Sequence, residues 1–344
     1  MKQGISVIIC CYNGAPRLHD TLAHLANQKH MENIPWEVLV IDNNSSDGTA
    51  EVARKCWEPY KEKIDFRVIS EPTPGTMYAR ERGVKEMKYN YILFVDDDNW
   101  MCDTYVSGIY QIIQAHPEIA AAGGEGIAQF PPGVAEPEWF EELKGAYATG
   151  PQAKAEGYIE EPRGRGTLYG AGICIKKKVW LQMKEANFSS LLIGRIGNKT
   201  LAPGDDTELG MVMRLAGYKL WFTPDLTFKH LLPEGRLNWD YVQRMFRGFG
   251  VASITISIYR AILKGDGDNP AHRWKRQLLR YLYIYTRLRV KYFFSPPTTI
   301  EPRTYLYILE GKIQALWLQK SKFDAKFQVV EDLQKRLQAL RAKQ

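Results

Sequence analysis

The chain has 344 residues, 45% of them hydrophobic and 25% charged, the composition of a folded protein with a substantial core and room for about two domains. Those figures exclude a disordered chain, a collagen and a disulfide-stapled miniprotein. A net charge of +7 favours an anionic partner, but where the charge sits matters more than its size.

The first apolar run, Ile5 to Cys11, is too short and too soon ended by Asn13-Gly14 for a secretory signal, so it reads as a strand. No stretch of about 20 apolar residues stands out as a bilayer span. The five cysteines, Cys10, Cys11, Cys56, Cys102 and Cys174, are odd in number and lack paired metal spacing. They fit a reduced, cytosolic setting.

Strands are expected at Ile5–Cys10, Trp36–Ile41, Phe66–Ile69 and Tyr91–Val95, separated by helical spacing over Arg17–Gln28, Thr49–Cys56 and Thr76–Met87. Short continuous apolar strands alternating with helices predict an α/β fold, a mostly parallel sheet flanked by helices. Gln129 to Gly166, rich in Gly and Pro, reads as a long irregular stretch with one short helix over Glu138–Ala146. Its Trp139, Phe140 and Tyr147 suit either stacking on a sugar or anchoring the loop. A strand over Thr167–Ile175 and helices over Lys177–Ala186 and Asp206–Ala216 follow.

The charge surplus lies further on. Residues 241–294 hold 11 Lys/Arg and two acids, Asp266 and Asp268, so this segment carries more positive charge than the whole chain. Projected as a helix, Arg273, Arg276, Arg280, Arg287 and Lys291 form a basic arc beside a stripe of Trp274, Leu278, Tyr281, Tyr285, Leu288 and Tyr292. Residues 271–294 therefore suit peripheral contact with an anionic membrane, or plain packing with the basic side in water. Single-stranded nucleic acid is the least expected partner. Phe327 to Leu340 shows one more amphipathic helix, too short for a dimeric coiled coil.

Three acidic groups carry the chemistry. Asp96-Asp97-Asp98 directly follows the run Tyr91–Val95, at the strand end where open α/β sheets bind ligands. Adjacent carboxylates there suit a hard cation, Mg²⁺ or Mn²⁺, or else a solvated turn capping the next helix. Asp42, ending Val38–Ile41, can accept hydrogen bonds from a ribose or base, or close an Asx-turn. Asp205-Asp206, opening a helix, can serve as cap and macrodipole partners or supply a general base.

Six segments in this order resemble the family 2 glycosyltransferases of the GT-A fold, over about residues 4 to 235. They are Ser6–Asn13, Val40–Thr49, Ala79-Arg80-Glu81-Arg82-Gly83, Phe94–Asp98, Gly170-Ala171-Gly172 and Asp205–Leu209. The resemblance implies a GT-A catalytic domain over 1–235, with a donor half over about 1–125 and an acceptor half over about 126–235. A helical, basic and aromatic extension follows over 236–344. It implies Tyr12, Asp42 and Arg80 at the nucleotide, Asp96 near the ribose and, beside Asp98, at the metal, and Gly170 and Gly172 near the donor sugar. Asp206 matches the catalytic base, with Asp205 where the family usually has Glu, and His230 matches a histidine that reaches the metal or diphosphate. Arg244 and Arg247 can clamp the diphosphate or an anionic acceptor, or form a solvated basic face.

The activity implied is inverting, cation-dependent transfer from a nucleotide sugar, UDP-linked by expectation, to a hydroxyl of a saccharide or lipid-linked acceptor in glycan or surface polysaccharide synthesis. The expected location is cytoplasmic, on the inner face of the cytoplasmic membrane. The alternatives are a sugar-nucleotidyltransferase, which would want a Gly-rich basic loop after the first strand, and a non-catalytic carbohydrate- or membrane-binding protein.

Overall fold

The computed structural model describes residues 2–160, 165–192 and 203–343 of the chain. Four strands run parallel in the order β3 (Asp65–Ser70), β2 (Trp36–Asp42), β1 (Lys2–Cys11), β4 (Tyr89–Asp96). Helices α1 (Leu18–Ala26), α2 (Thr49–Trp57) and α3 (Thr76–Glu86) connect them. Both faces are covered, with the period of two that a strand imposes. Val7, Ile9, Val38 and Val40 pack with Leu18, Leu22 and Trp57, whereas Ile8, Leu39 and Ile41 pack with Ala79, Val84 and Trp180. Each such Ile or Leu contributes roughly 1.5–3 kcal/mol by burial. Register then fixes the site: Cys10 pairs with Asp96 and Cys11 with Asp42, so three strand ends meet at one edge.

The sheet continues through β8 (Cys174–Lys176), antiparallel to β4 and to β6 (Ile119–Gln129), and then through β9 (Lys219–Leu231), parallel to β6. The short β5 (Asn99–Met101) and β7 (Gly157–Tyr158) pair antiparallel with β9. Between β5 and β6 lies α4 (Tyr105–Ala115). Strand β6, Ile-Ala-Ala-Ala-Gly-Gly-Glu-Gly-Ile-Ala-Gln, carries little strand signal. Its small residues answer to close approach instead: a Cβ on Gly124 would lie 1.9 Å from the Leu226 carbonyl oxygen.

The strand expected over Thr167–Ile175 shrinks to Cys174–Lys176. Before it, two backbone donors are spent on side chains, Tyr169 N–H on Gln152 Oε1 at 2.6 Å and Gly170 N–H on Asp206 Oδ2 at 3.0 Å, while Gly172 N–H reaches the Phe94 carbonyl at 3.0 Å. The short helix expected near Glu138 appears as α5 (Phe140–Leu143) and a 3₁₀ turn, Lys144–Tyr147. Residues 161–164 of the irregular stretch lie outside the described residues. Helices α6 (Lys177–Glu185) and α7 (Asp205–Leu215) stand close to their expected bounds.

Three helices complete the chain: α8 (Trp239–Leu263), α9 (Trp274–Phe294) and α10 (Glu301–Arg341), the last broken at Lys320, where φ is 28°. Gly250 and Gly311 let α8 and α10 cross closely; their missing Cβ atoms would lie 2.2 Å from the Ile308 carbonyl oxygen and 2.1 Å from that of Arg247. Phe323, Phe327, Val330, Leu333 and Leu337 join the same apolar core as Ile8, Trp180 and Leu209. By length and composition alone, α8 is long and apolar enough to cross a bilayer. Here Ile254, Ile258 and Tyr259 on it are buried in that core.

Candidate active site

The three adjacent aspartates separate by partner. Asp97 turns under the sheet edge, where Arg17 holds it in a bidentate pair, Nη2 to Oδ2 at 2.7 Å and Nε to Oδ1 at 3.2 Å. Cys11 Sγ donates to the same carboxylate at 3.2 Å. Burial still raises the Asp97 carboxyl above the ordinary range, against the pull of Arg17. Asp98 faces the other way. Strand β5 pairs Asn99 with His230 of β9, which brings His230 Nε2 to 3.6 Å from Asp98 Oδ1. Arg236, in the turn after β9, stands with Nη1 3.4 Å from Asp98 Oδ2. Burial would push Asp98 up, but His230 and Arg236 hold it well below the usual carboxylate range. Asp96, buried and repelled by Asp98, is pushed up to about 6.

His230 has the geometry of a ligand. Its Nδ1 lies 2.8 Å from the Tyr147 carbonyl oxygen, so Nδ1–H donates there and Nε2 is left facing Asp98, a donor to that carboxylate when the ring is protonated and a lone pair when it is neutral. Among the described residues no group of three His, Cys, Asp or Glu forms a closed metal cage. One carboxylate and one imidazole suit a cation completed by water and substrate phosphates.

Arg80 lies among the acids rather than at the open edge. Its guanidinium is buried, 5.2 Å from the centre of the Phe94 ring, and Nη1 pairs with Asp205 Oδ2 at 3.1 Å. Asp96 and Asp206 also lie within its field, so it joins the two acidic clusters. Asp206 accepts from Gly170 N–H at 3.0 Å and Thr207 N–H at 2.7 Å. Burial, then the charge of Asp205, raises the Asp206 carboxyl above the ordinary range. Of the two aspartates, Asp205 is paired with Arg80, whereas Asp206 accepts only from backbone N–H groups and the Thr207 hydroxyl among the described residues.

The glycines have protein neighbours. A Cβ on Gly170 would meet Arg80 Nη2 at 2.9 Å and Asp206 Cβ at 3.2 Å. Gly172, at φ 71°, leaves room for Tyr105, whose hydroxyl donates to the Gly172 carbonyl at 2.7 Å. The space these residues give up is occupied by Arg80, Asp206 and Tyr105.

At the ends of β1 and β2, Tyr12 is 46% exposed and Asp42 Oδ1 accepts from Ser45 N–H at 3.1 Å, closing the Asx-turn. The loop after β1 is sewn to the loop after β2: Asn13, Gly14 and Ala15 N–H donate to Ser45 Oγ, Thr49 Oγ1 and Asp47 Oδ2. Buried Asn43 fixes the next loop, donating to the Glu71 and Thr73 carbonyls and accepting from Gly75 N–H. Arg247 pairs with Glu310 of α10 at 2.7 Å, and exposed Arg244 lies over its neighbour Tyr241. Neither has a bond to the Asp98 cluster. Tyr147 and Trp139 are packed in a satellite cluster with Phe140 and Tyr241, anchoring the loop.

Sequence reasoning missed Arg236, Arg17 and Asn43. Arg236 had a signal, lying six residues beyond His230. Glu208 belongs to the acid motif by sequence but serves packing in the fold. Buried in α7, it accepts from Tyr259 Oη of α8 and Leu191 N–H, each at 2.8 Å. A cavity of about 400 Å³ between Met77, Trp180, Phe188 and Leu209 opens one helical turn from the Arg80–Asp205 pair and contains none of the donor-edge acids.

The family model for Glycosyl transferase family 2 matches residues 6–153. The chain is similar to poly-beta-1,6-N-acetyl-D-glucosamine synthase of Staphylococcus epidermidis, 28% identical over 36% of this chain and 28% of that protein. It is similar to cholesterol galactosyltransferase of Borreliella burgdorferi, 30% identical over 33% of this chain and 30% of that protein. The chain thus spans under a third of the length of these curated relatives. Among solved structures, it resembles the mannosyltransferase PcManGT from Pyrobaculum calidifontis in complex with GDP-Man and Mn²⁺. There the TM-score is 0.57 at 15% identity, covering 93% of this chain and 89% of that one. Residues 1–349 of S. aureus TarS in complex with UDP-GlcNAc give 0.53 at 16% identity, covering 99% and 93%. The fold is GT-A.

Proposed function

We propose that the chain, whose residues 6–153 match the Glycosyl transferase family 2 model, is an inverting, cation-dependent transferase moving a sugar from a nucleotide sugar, UDP-linked by preference, to a hydroxyl of a saccharide or lipid-linked acceptor. The observation that carries the proposal is the arrangement around Arg80. One buried guanidinium lies in the field of Asp96 on the donor edge and of Asp206 at the acid–base position. A donor bound at Asp42 and Asp96 would then present its sugar toward Asp206.

Asp206 takes the proton of the acceptor hydroxyl as that oxygen forms its bond to the anomeric carbon. The bond from that carbon to the diphosphate breaks, its electron pair leaving with the nucleoside diphosphate. One displacement by one base inverts the configuration. Gly170 N–H and Thr207 N–H aim the carboxylate, and Arg80 neutralises Asp205 beside it. A divalent cation held by Asp98 and His230 would supply Lewis-acid relief of charge on the leaving diphosphate. The residues present fit that group: the His230 Nε2 and the Asp98 carboxylate face one another at 3.6 Å, leaving a cation to be completed by phosphate oxygens. The resemblance domains, 1–235 catalytic and 236–344 extension, are retained on this reading.

The sewn loop after β1 favours this reading over a nucleotidyltransferase. The N–H groups of Asn13, Gly14 and Ala15 are committed to side chains and so are not presented to a triphosphate.

We also propose peripheral contact with the inner face of an anionic membrane through residues 271–294, on a different face from the sequence stripe. Trp274, Leu278 and Tyr281 pack against the core, and Tyr285 Oη bonds Glu310. Leu279, Tyr283, Val290, Phe293 and Phe294 face outward, the two phenylalanines 80% exposed. Exposed Arg276, Arg280, Arg287 and Lys291 share that side of the protein, which suits an anionic interface.

Donor hydrolysis and binding across UDP- and GDP-sugars, with Mn²⁺ or Mg²⁺, test the main proposal. One donor should bind, Asp98→Ala should lose it, and Asp206→Asn should bind it without turnover. Equal turnover by wild type and Asp206→Asn would refute the assigned base, and no binding of any nucleotide sugar would refute the donor site.

A further inference from the structure

Arg236 stands where a cation would. Its Nη1 is 3.4 Å from Asp98 Oδ2 and 3.4 Å from His230 Nε2, on the carboxylate and the imidazole proposed to hold a divalent ion. It faces both the imidazole nitrogen and the carboxylate, the two groups a metal there would face. Both distances exceed the 2.7–2.9 Å of a tight charge-assisted bond, so the guanidinium is held loosely. The Arg236 side chain is 29% exposed against 6% for Asp98, which leaves it a way out toward solvent. The other nearby cation, Arg17, is engaged by Asp97 in both its bonds. The backbone beneath is fixed, since Tyr147 Oη donates to the Arg236 carbonyl at 2.9 Å while the Tyr147 carbonyl accepts from His230.

We infer that Arg236 is a positioning residue that serves as the counter-cation of the Asp98–His230 pair before the donor arrives and exchanges places with the divalent ion, turning its charge to the diphosphate. This rests on the proposed donor site and adds an order of events to it. A guanidinium and a divalent ion at the same carboxylate repel each other, so the ion alone enters poorly. An ion arriving with a nucleoside diphosphate brings the negative charge that Arg236 can follow. Metal and nucleotide binding are therefore coupled through this one side chain.

The test is titration of Mn²⁺ by electron paramagnetic resonance, with and without UDP or GDP, on wild type, Arg236→Ala, Arg236→Lys and Asp98→Asn. Removing a like charge this close should tighten Mn²⁺ binding in the absence of nucleotide about tenfold or more. Arg236→Lys keeps the charge and should stay within a few-fold of wild type, and Asp98→Asn should lose Mn²⁺. The same Arg236→Ala change should weaken nucleotide binding at saturating Mn²⁺, so the synergy between the two ligands falls. An Arg236→Ala protein that binds free Mn²⁺ equally or more weakly overturns the exchange, because a merely structural arginine would give that result. If nucleotide and Mn²⁺ still bind together in wild type, the donor-site reading survives that failure. If Mn²⁺ binds none of the proteins, both fall.

Discussion

Replacing Arg80 with methionine would keep most of its volume over Phe94 but remove the charge that joins the two acidic clusters. At the observed 3.1 Å from Asp205, Coulomb's law with an effective dielectric of about 20 gives about 5 kcal/mol of gross attraction. Arg80 is 7% and Asp205 23% exposed, so desolvation of both offsets part of that, leaving a coupling of about 2–3 kcal/mol. Arg80→Met alone should cost about 3–5 kcal/mol in urea unfolding, because the acids lose the buried cation they share. Asp205→Asn should cost less, and the double variant should recover about 2–3 kcal/mol of the summed loss. The pH–rate profile reads the same charge. Asp206 must be ionised to accept a proton, so activity falls as pH falls through its raised value, and without Arg80 that limb should move to higher pH. The stability sign runs the other way. A carboxyl raised in the folded state adds stability at acid pH that is lost as pH rises from the unfolded toward the folded value. A double-mutant coupling below about 0.5 kcal/mol with an unmoved acid limb would refute the idea that Arg80 organises this site.

Glu208→Ala should lower unfolding free energy by about 2–3 kcal/mol, since Tyr259 Oη would be left a buried unmet donor and Leu191 N–H a half-buried one; an unchanged urea midpoint would contradict this. Gly172→Ala should destabilise by about 2–4 kcal/mol, combining left-handed backbone strain with a Cβ 2.4 Å from Tyr105 Oη. Gly133→Ala, also left-handed but with nothing within 4 Å, should lose only about 1–2 kcal/mol, and the difference between the two melting curves isolates the clash. Replacing Phe293 and Phe294 together with serine should change stability by under about 0.5 kcal/mol while reducing co-sedimentation with phosphatidylglycerol vesicles about tenfold or more; undiminished sedimentation would refute the outward-face contact.

How far the sequence could be read depended on where each element drew its stability. The strands β1, β2 and β4 and the helices between them were legible because each is bounded by its own apolar period and turn residues. Strands β6 and β9 were not, since Gly123, Gly124 and Gly126 answer to contacts with Leu168, Leu226 and Ala148, which a local window does not contain. Tail periodicity was visible, but its facing was not. Two apolar stripes share α9, and α10, brought over it by the Gly250–Gly311 crossing, covers the one holding Leu278 and Tyr281.

The acids show the same division more finely. Asp42, Asp96, Asp98 and Asp206 stood out along the chain because strand ends and helix starts are local features, whereas His230 was singled out only by the family resemblance. Which carboxylate of the triple run meets a protein cation and which meets histidine was decided by β5 pairing with β9 and by Arg17 reaching across from the start of α1. Charge partners 80 or more residues apart leave no local pattern. They exist only once the sheet register has brought the strand ends to one edge, and so tertiary structure alone assigned Asp97 to Arg17, Asp205 to Arg80 and Asp98 to His230 and Arg236.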